Sequence, residues 1–468
     1  MNIFRLPTIV CVALASMLVA FVAPSVAPSQ APTAPQSETS QTDAAKSKSA
    51  SQSALAQNDS DKSKPASTSD STKSKKPKRE AGLIFGIAKA PPKAAGTIRL
   101  GAYNIENFFD GVDDPNLSGE YDDIKMQTSE DRCKSLAKAI HDLDADVLAL
   151  EEVEGEDALR WFRDTYLKDM GYEYLASKEV GYYRGVEQSL LSRFPIKDVQ
   201  VWTTEDLEPM EKYISKDADQ RKKEGWGDDP KVKEPLKFQR SPLKVAIQLP
   251  DETMLIVYVV HHKAGGKATT HHRELEALRI NEMVQADLAK NPDARVAVVG
   301  DFNATPMEKA AKLYRDKAFA GLVSAYEFRP EAGQAKPKKP AAKDADEAGA
   351  DSETDGDGDA SAPMSQEKSS DAAADKKAAK NLYLTHITNR SIDYILLSPA
   401  LVKIAVPKSF FVFGTLMPGS DYDYKKDEPP AGYASDHCPI ALDLKVAATN
   451  PAKSKSAESA PIIPEKKK

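Results

Sequence analysis

Apolar side chains recur along this chain at two spacings, every second residue and every third or fourth, and the two patterns take turns. In Thr97–Asn104, Ile98, Leu100 and Ala102 share one face of an extended segment, and Asn104 ends the same alternation. Ser129–Leu143 carries Leu136, Ala139, Ile140 and Leu143 at helical spacing, and Ser129 followed by Glu130 and Asp131 predicts the helix start. Asp146–Glu152 predicts a strand with Leu148, Leu150 and Glu152 at one parity, and Glu156–Met170 a second helix. Gly185–Pro195 predicts a strand stopped by proline, and Arg240–Leu249 with Met254–His261 a hairpin turning at Pro250 and Asp251. A helix over Thr270–Lys290 leads into the valine-rich strand Arg295–Gly300, which runs out into Asp301 and Asn303. Arg390–Leu397 and Ser435–Leu444 are the last strand-like runs.

Elsewhere the patterning lapses. Residues 28–95 are rich in Ser, Ala, Lys and Pro and nearly free of aromatics, which predicts a disordered linker, with Leu83–Ala88 as an apolar island that docks on the domain. Residues 331–380 hold eight lysines against twelve acidic residues, a disordered acidic insertion that supplies more than half of the net charge of −7. Within it Asp355–Asp359 alternates Asp and Gly like a calcium loop but lacks the spaced glutamate and flanking helices. Thr203–Pro235 reads as a charged surface excursion, and residues 447–468 as a disordered lysine-rich tail. The folded domain is therefore expected over 96–446. At the other end, a short positive lead to Arg5, the apolar run Ile9–Ala23 and then small residues and proline predict a signal peptide or N-terminal anchor over residues 1–27. That places the protein outside the cytoplasm, in periplasm, envelope or medium. Cys11, Cys133 and Cys438 make neither a disulfide framework nor a zinc cluster. A pI near 5.7 argues against coating nucleic acid through bulk charge, yet allows an enzyme that meets a phosphodiester at a local metal site.

The polar residues that flank the strands carry the chemistry. Asn104, Glu152, His261, Asp301, Asn303, Asp393, Asp436 and His437 all stand beside short apolar runs, and each alone could be a turn or edge residue. Together they suit one task. Phosphodiester hydrolysis needs charge neutralisation, an activated water and protonation of the leaving oxygen. Glu152 and Asp436 are hard oxygen ligands for Mg²⁺ or Mn²⁺. Asp301 can polarise the water, with Asn104 and Asn303 fixing geometry. Two histidine–carboxylate pairs are available, Asp393 with His437 and Glu187 with His261, and Arg240 can take a phosphate through its forked donors.

Six motifs in order make the chain resemble the endonuclease/exonuclease/phosphatase superfamily, whose fold is that of pancreatic deoxyribonuclease. They are Tyr103–Asn107, Leu148–Glu152, Leu190–Pro195, Gly300–Asn303, Ile392–Leu396 and Ser435–His437, spanning about Thr97–Val446. The resemblance implies an α+β fold of four layers, two packed mixed β-sheets flanked by helices. It implies Glu152 as principal metal ligand, Asp436 near the metal and Asp301 at the water. Asn104 and Asn303 would hold phosphate or metal-bound water, and Asp393 would orient His437 at the phosphate. The chain departs from the family in two places. Relatives often have Gln where Glu151 stands. Val260-His261-His262-Lys263 leaves two histidines for one site position, and alternation favours His261. The expected activity is a secreted metal-dependent phosphodiesterase, a nuclease on DNA or RNA, most similar to secreted bacterial nuclease-type members. The alternatives are an enzyme for a small or lipid phosphoester and a non-catalytic binding protein. Nucleic acid is the expected partner, with no stable protein partner, no membrane contact beyond the N-terminal anchor, and a monomeric state.

Overall fold

The computed structural model describes residues 80–118, 121–228, 236–313, 321–330, 381–419, 421–423 and 426–446. The apolar lead, the linker up to residue 79, the acidic insertion and the tail lie outside the described residues.

Among the described residues, twelve strands form two six-stranded mixed sheets. The first contains β1 (Thr97–Phe108), β2 (Val147–Val153), β3 (Tyr174–Ser177), β4 (Glu187–Ser192), β11 (Phe411–Val412) and β12 (Ile440–Lys445), in the order β11-β12-β1-β2-β4-β3. The second contains β5 (Ile196–Val201), β6 (Leu243–Gln248), β7 (Met254–His261), β8 (Arg295–Asp301), β9 (Val323–Ser324) and β10 (Asp393–Leu397), in the order β5-β6-β7-β8-β10-β9. Each sheet is built around one parallel pair, β1–β2 and β7–β8, with antiparallel strands outside it.

Alternation sorts the side chains into layers. Leu100, Ala102, Val147 and Ala149 of one sheet pack against Val257, Val259, Ala297 and Val299 of the other, in a single inter-sheet core. The opposite face of the first sheet, with Leu148 and Leu150, is covered by helices Glu130–Leu143 and Glu156–Tyr166. The opposite face of the second, with Val296 and Val298, is covered by helix Thr270–Lys290. The result is the four-layer α+β architecture implied by the motifs. Among the described residues no helix is long and apolar enough to cross a membrane.

The helix predicted from Ser129 begins there, with the Ser129 side chain accepting from Arg132 N. The helix expected over Glu156–Met170 instead stops at Tyr166 and resumes as a short 3₁₀ turn, Lys168–Met170. Helix Thr270–Lys290 buries charged residues on the side away from the sheet. The excursion after Thr203 lies over it, with Gly227 N donating to Glu274, Gln239 N to Glu276, and His271 paired to Glu211. What reads as a solvated charged stretch is thus a covering layer.

The ordered body starts before Thr97, so the linker boundary at residue 95 moves towards the N-terminus. Gly82 N donates to Met417 O and Ile87 N to Val412 O, which adds the Leu83–Ala88 island to the edge beyond β11. Phe85 is buried in the inter-sheet core. Truncating a buried Phe costs about 3–5 kcal/mol. Phe85→Ala is therefore expected to lower the urea midpoint by that equivalent. Equal midpoints for Phe85→Ala and wild type would show that the arm is not part of the cooperative unit.

Candidate active site

Strand polarity brings the functional side chains together. The parallel pairs point the C-terminal ends of β1, β2, β7 and β8 to one edge of the sandwich, while β10 and β12 begin there because they run the other way. Register then sets neighbours: His261 pairs with Asp301 across β7–β8, and Asp301 with Asp393 across β8–β10. Asn104, His261, Asp301 and Asp393 continue the alternation of inter-sheet core residues, so all four point into the gap between the sheets.

At the centre is Asp301, only 2 % exposed. Asn303 N donates to Asp301 Oδ1 at 2.7 Å, and Asn303 Nδ2 and Asn104 Nδ2 donate to Oδ2 at 3.1 and 3.4 Å. Two imidazoles flank the same oxygen, His261 Nε2 at 3.5 Å and His437 Nε2 at 3.8 Å. Those lengths exceed ordinary hydrogen bonds, so both rings face the carboxylate at contact distance without a hydrogen bond to it. Behind His437, Asp393 holds Nδ1 with both carboxylate oxygens at 3.0 Å. Burial opposes charge on His437, but Asp393 and Asp436 outweigh it and raise its pKa well above the ordinary histidine value. Burial pushes Asp301 up to about 7, against the pull of His437. Burial, followed by Arg240, pushes His261 down, so this imidazole is neutral. Two histidines flanking one carboxylate thus hold opposite charge states.

Glu152 reaches the site by a different device. Its parity with Leu148 and Leu150 would send it to the helix layer, but β2 shifts register against β4 between Glu151 and Val153, and Glu152 adopts φ 65°. This bulge re-aims the side chain. Glu152 Oε2 accepts from Asn107 N at 2.8 Å and Oε1 lies 3.7 Å from His261 Nε2. A matching irregularity in β1 gives Glu106 and Asn107 positive φ. Glu106, not assigned from the sequence although it lies inside the first motif, is there placed near both Glu152 and Asp436. Its Oε2 accepts from Tyr433 OH at 2.6 Å and Asp436 N at 3.2 Å. Burial and then the Asp436 charge push Glu106 up to about 7. Three carboxylates sharing one rim with mutual repulsion fit a hard divalent cation, which would relieve that repulsion and take oxygen ligands from Glu152, Glu106 and Asp436. Beside them, His386, Asp436 and His437 offer ligand atoms all within 4.8 Å of one another.

Arg240 is buried with its guanidinium over the Tyr182 ring at 5.2 Å, and among the described residues its Nε has no hydrogen-bond partner. It bears electrostatically on both His261 and Asp301, which places it at the rim. Arg184, which the sequence offers as local positive charge, donates to Asn107 Oδ1 and feels the Glu152 charge. The pairing of Glu187 with His261 does not occur. Gln188 takes the inward position on β4 and donates to Ser241 O, while Glu187 faces the other way and accepts from Val180 N. His261 meets Asp301 and Glu152 instead. His262 falls on the opposite face of β7, against Phe302.

Glu151 occupies the inward position beside Glu152, fully buried, and among the described residues neither carboxyl oxygen has a hydrogen-bond partner. Burial, then Asp393 and Asp301, holds its pKa well above the usual carboxylate range. A raised folded pKa means that its contribution to stability is full below about 4.3 and is lost as pH rises towards the folded value. Glu151→Gln is expected to match the wild-type Tm at pH 4 and exceed it at pH 8. A Tm no higher than wild type at pH 8 would mean that this carboxyl is not strained by ionisation.

A model of the Endonuclease/Exonuclease/phosphatase family matches residues 102–437, from β1 to the histidine before β12. The chain belongs to that family and is a phosphoester hydrolase. Enzymes of the family are generally dependent on divalent metal ions. Among solved structures, it is similar to the catalytic domain of human Nocturnin with bound sulfate, at 17% identity over 74% of this chain and 94% of that one, TM-score 0.40. It is also similar to a mannosyl-6-phosphatase from Bacteroides thetaiotaomicron, at 14% identity over 74% and 98%, TM-score 0.40. TDP2 from Caenorhabditis elegans gives 13% identity over 75% of each chain, TM-score 0.39. No curated protein matches.

Proposed function

We propose that this protein is an exported, Mg²⁺- or Mn²⁺-dependent phosphodiesterase that cuts DNA or RNA, with Asp301 as the base. The observation that carries the reading is the setting of Asp301: one buried carboxylate held by two asparagines and faced by a charged His437 and a neutral His261. Asn104 and Asn303 orient the carboxylate towards a water in the gap between the sheets. Asp301 takes a proton from that water as its oxygen attacks phosphorus and the bond to the leaving oxygen breaks, and the departing oxygen takes its proton from solvent water. His437, kept charged and oriented by Asp393, donates from Nε2 to a phosphoryl oxygen as negative charge builds there. Arg240 offers its guanidinium to the same phosphate. A divalent cation held by Glu152, Glu106 and Asp436 would supply Lewis acidity and charge neutralisation.

The polynucleotide assignment is supported by the rim beyond these groups. Arg184 and Arg240 flank Tyr182, and Tyr183, which is 56% exposed, packs edge-on against Tyr121 and Tyr182. Arginines beside one exposed tyrosine, Tyr183, suit a phosphate backbone and a base stacked on that ring. Export is supported by Ile9–Ala23 and the small residues after it. The test is a parallel assay on plasmid DNA, RNA, sphingomyelin, a phosphoinositide and a sugar phosphate, with Mg²⁺, Mn²⁺ or chelator. Cation-dependent cleavage of DNA or RNA is expected. Turnover confined to a lipid or small phosphoester would replace the substrate class, and activity in chelator would remove the metal.

A further inference from the structure

We propose that His386 is a positioning residue that holds Asp436 through an Nε2–H tautomer, and that Thr388 and Arg390 lock that tautomer. The proposal rests on the phosphoester-hydrolase reading for its effect on rate, but its structural core can be tested without substrate.

The tautomer follows from donors that cannot do anything else. Arg390 Nε–H donates to Thr388 Oγ1 at 2.7 Å, and a guanidinium never accepts. The Thr388 hydroxyl hydrogen is then free to point at His386 Nδ1, 2.6 Å away. Thr388 N–H, which can only donate, meets the same Nδ1 at 3.2 Å. Nδ1 therefore carries the lone pair, and in the neutral ring the hydrogen sits on Nε2, which faces Asp436 Oδ2 at 3.3 Å. The backbone makes this arrangement local and rigid. His386 N donates to Arg390 O and Asn389 N to His386 O, closing a turn in which Asn389 has φ 60°. Ile387 N donates to Asp436 O and Cys438 N to Thr385 O, pinning this turn alongside the Asp436–His437 segment.

Asp436 needs such a partner. Among the described residues its carboxylate pairs with no lysine or arginine, only with His386 and, at 3.8 Å, with His437 Nε2. Its side chain is 29% exposed, so packing alone does not fix its rotation. His386, at 12% exposure and with its ring 4.6 Å from the His437 ring, turns Asp436 towards the rim and keeps its other oxygen on the His437 side. The three donor atoms of His386, Asp436 and His437 lie close enough to suggest a cation site with two nitrogens. The tautomer argues otherwise: His386 presents a hydrogen to Asp436, and its lone pair is already taken by Thr388.

The two readings of His386 separate in His386→Gln, whose side-chain amide reproduces an N–H donor near Nε2 but is a poor metal ligand. Loss of a supporting partner to a metal-site group typically costs 10–100-fold. His386→Ala is expected to lose about 10–100-fold in kcat/KM and to require more Mg²⁺ for half-maximal rate, with Tm preserved. His386→Gln is expected to recover most of both. ¹⁵N chemical shifts of His386 in the substrate-free protein should report the Nε2–H form, and Thr388→Val should shift the ring towards the other tautomer while Thr388→Ser does not. Wild-type kinetics in His386→Ala would overturn the positioning role, as would His386→Gln being as impaired as His386→Ala. An Nδ1–H form in the wild-type spectrum would overturn the lock. Should no phosphoester be hydrolysed by the wild type, the spectra still decide the tautomer, so failure of the functional reading and of this one are distinguishable.

Discussion

Asp301→Ala is expected to lower kcat for phosphoester hydrolysis by about 10²- to 10⁴-fold, the range for losing a positioned general base. The fold should survive, because Asp301 is not what holds the sheets together. The β7–β8 and β8–β10 ladders are backbone pairings that run the length of these strands, and the apolar residues of β8 fill cores on both faces. Stability should in fact rise at alkaline pH. Burial pushes Asp301 up to about 7, so its ionisation weakens the folded state, and that penalty accrues as pH rises from about 3.9 towards 7. Asp301→Asn keeps the shape and removes the charge, so it should show the gain in Tm most cleanly at pH 8 together with the loss of rate. A group that costs stability and is required for rate is placed for function. Full activity in purified Asp301→Ala would end the proposed mechanism.

Gly300→Ala should be the most damaging of the Gly→Ala changes among the described residues. Gly300 has φ 124°, where a residue with a Cβ is strained. A Cβ there would lie 2.2 Å from Val260 O and 2.6 Å from Glu151 Oε1. The carbonyl belongs to the neighbouring strand β7 and cannot retreat without breaking the ladder, and the carboxyl is packed between the sheets. Backbone strain and steric overlap together put the expected loss above about 4 kcal/mol, the tail of single-residue effects. Denaturant unfolding of the purified variant measures it; insoluble expression is the same outcome in a stronger form. Val299→Ala, one residue earlier in the inter-sheet core, is a control for ordinary loss of packing. If Gly300→Ala proves no worse than Val299→Ala, the close approach at Gly300 is relieved by movement that the static packing does not reveal.

Much of the fold is legible in local pattern because alternation is a local property. Ile98, Leu100 and Ala102 predict the facing of Asn104; Leu255, Val257 and Val259 predict that of His261; and the structure puts both into the inter-sheet gap. The same rule separates His261 from His262, which packs against Phe302 behind the sheet. Where a strand leaves its regular register the rule fails. The bulge at Glu152 turns the side chain against its parity, and in β1 the positive φ at Glu106 and Asn107 sends Phe108 to the helix face although it shares parity with Ala102. Nothing in an apolar pattern marks a positive φ at a glutamate. Glu187 fails for the opposite reason: it obeys alternation, which carries it away from His261 once Gln188 takes the inward place.

The order of apolar strands, the polar residues at their ends and six short motifs were enough, without coordinates, to reach the family and a four-layer fold. Each depends on residues close together in the chain. The partners were decided only by tertiary structure, because they depend on which strand lies beside which. Asp301 meets His261 and Asp393 through register across β7, β8 and β10. Glu106 meets Tyr433, 327 residues away, and His386 reaches Asp436 from a turn with no sequence signature. Charge states belong to the same class of facts. His261 and His437 are the same residue type beside the same carboxylate, and only burial near Arg240 for one and the backing of Asp393 for the other set them apart.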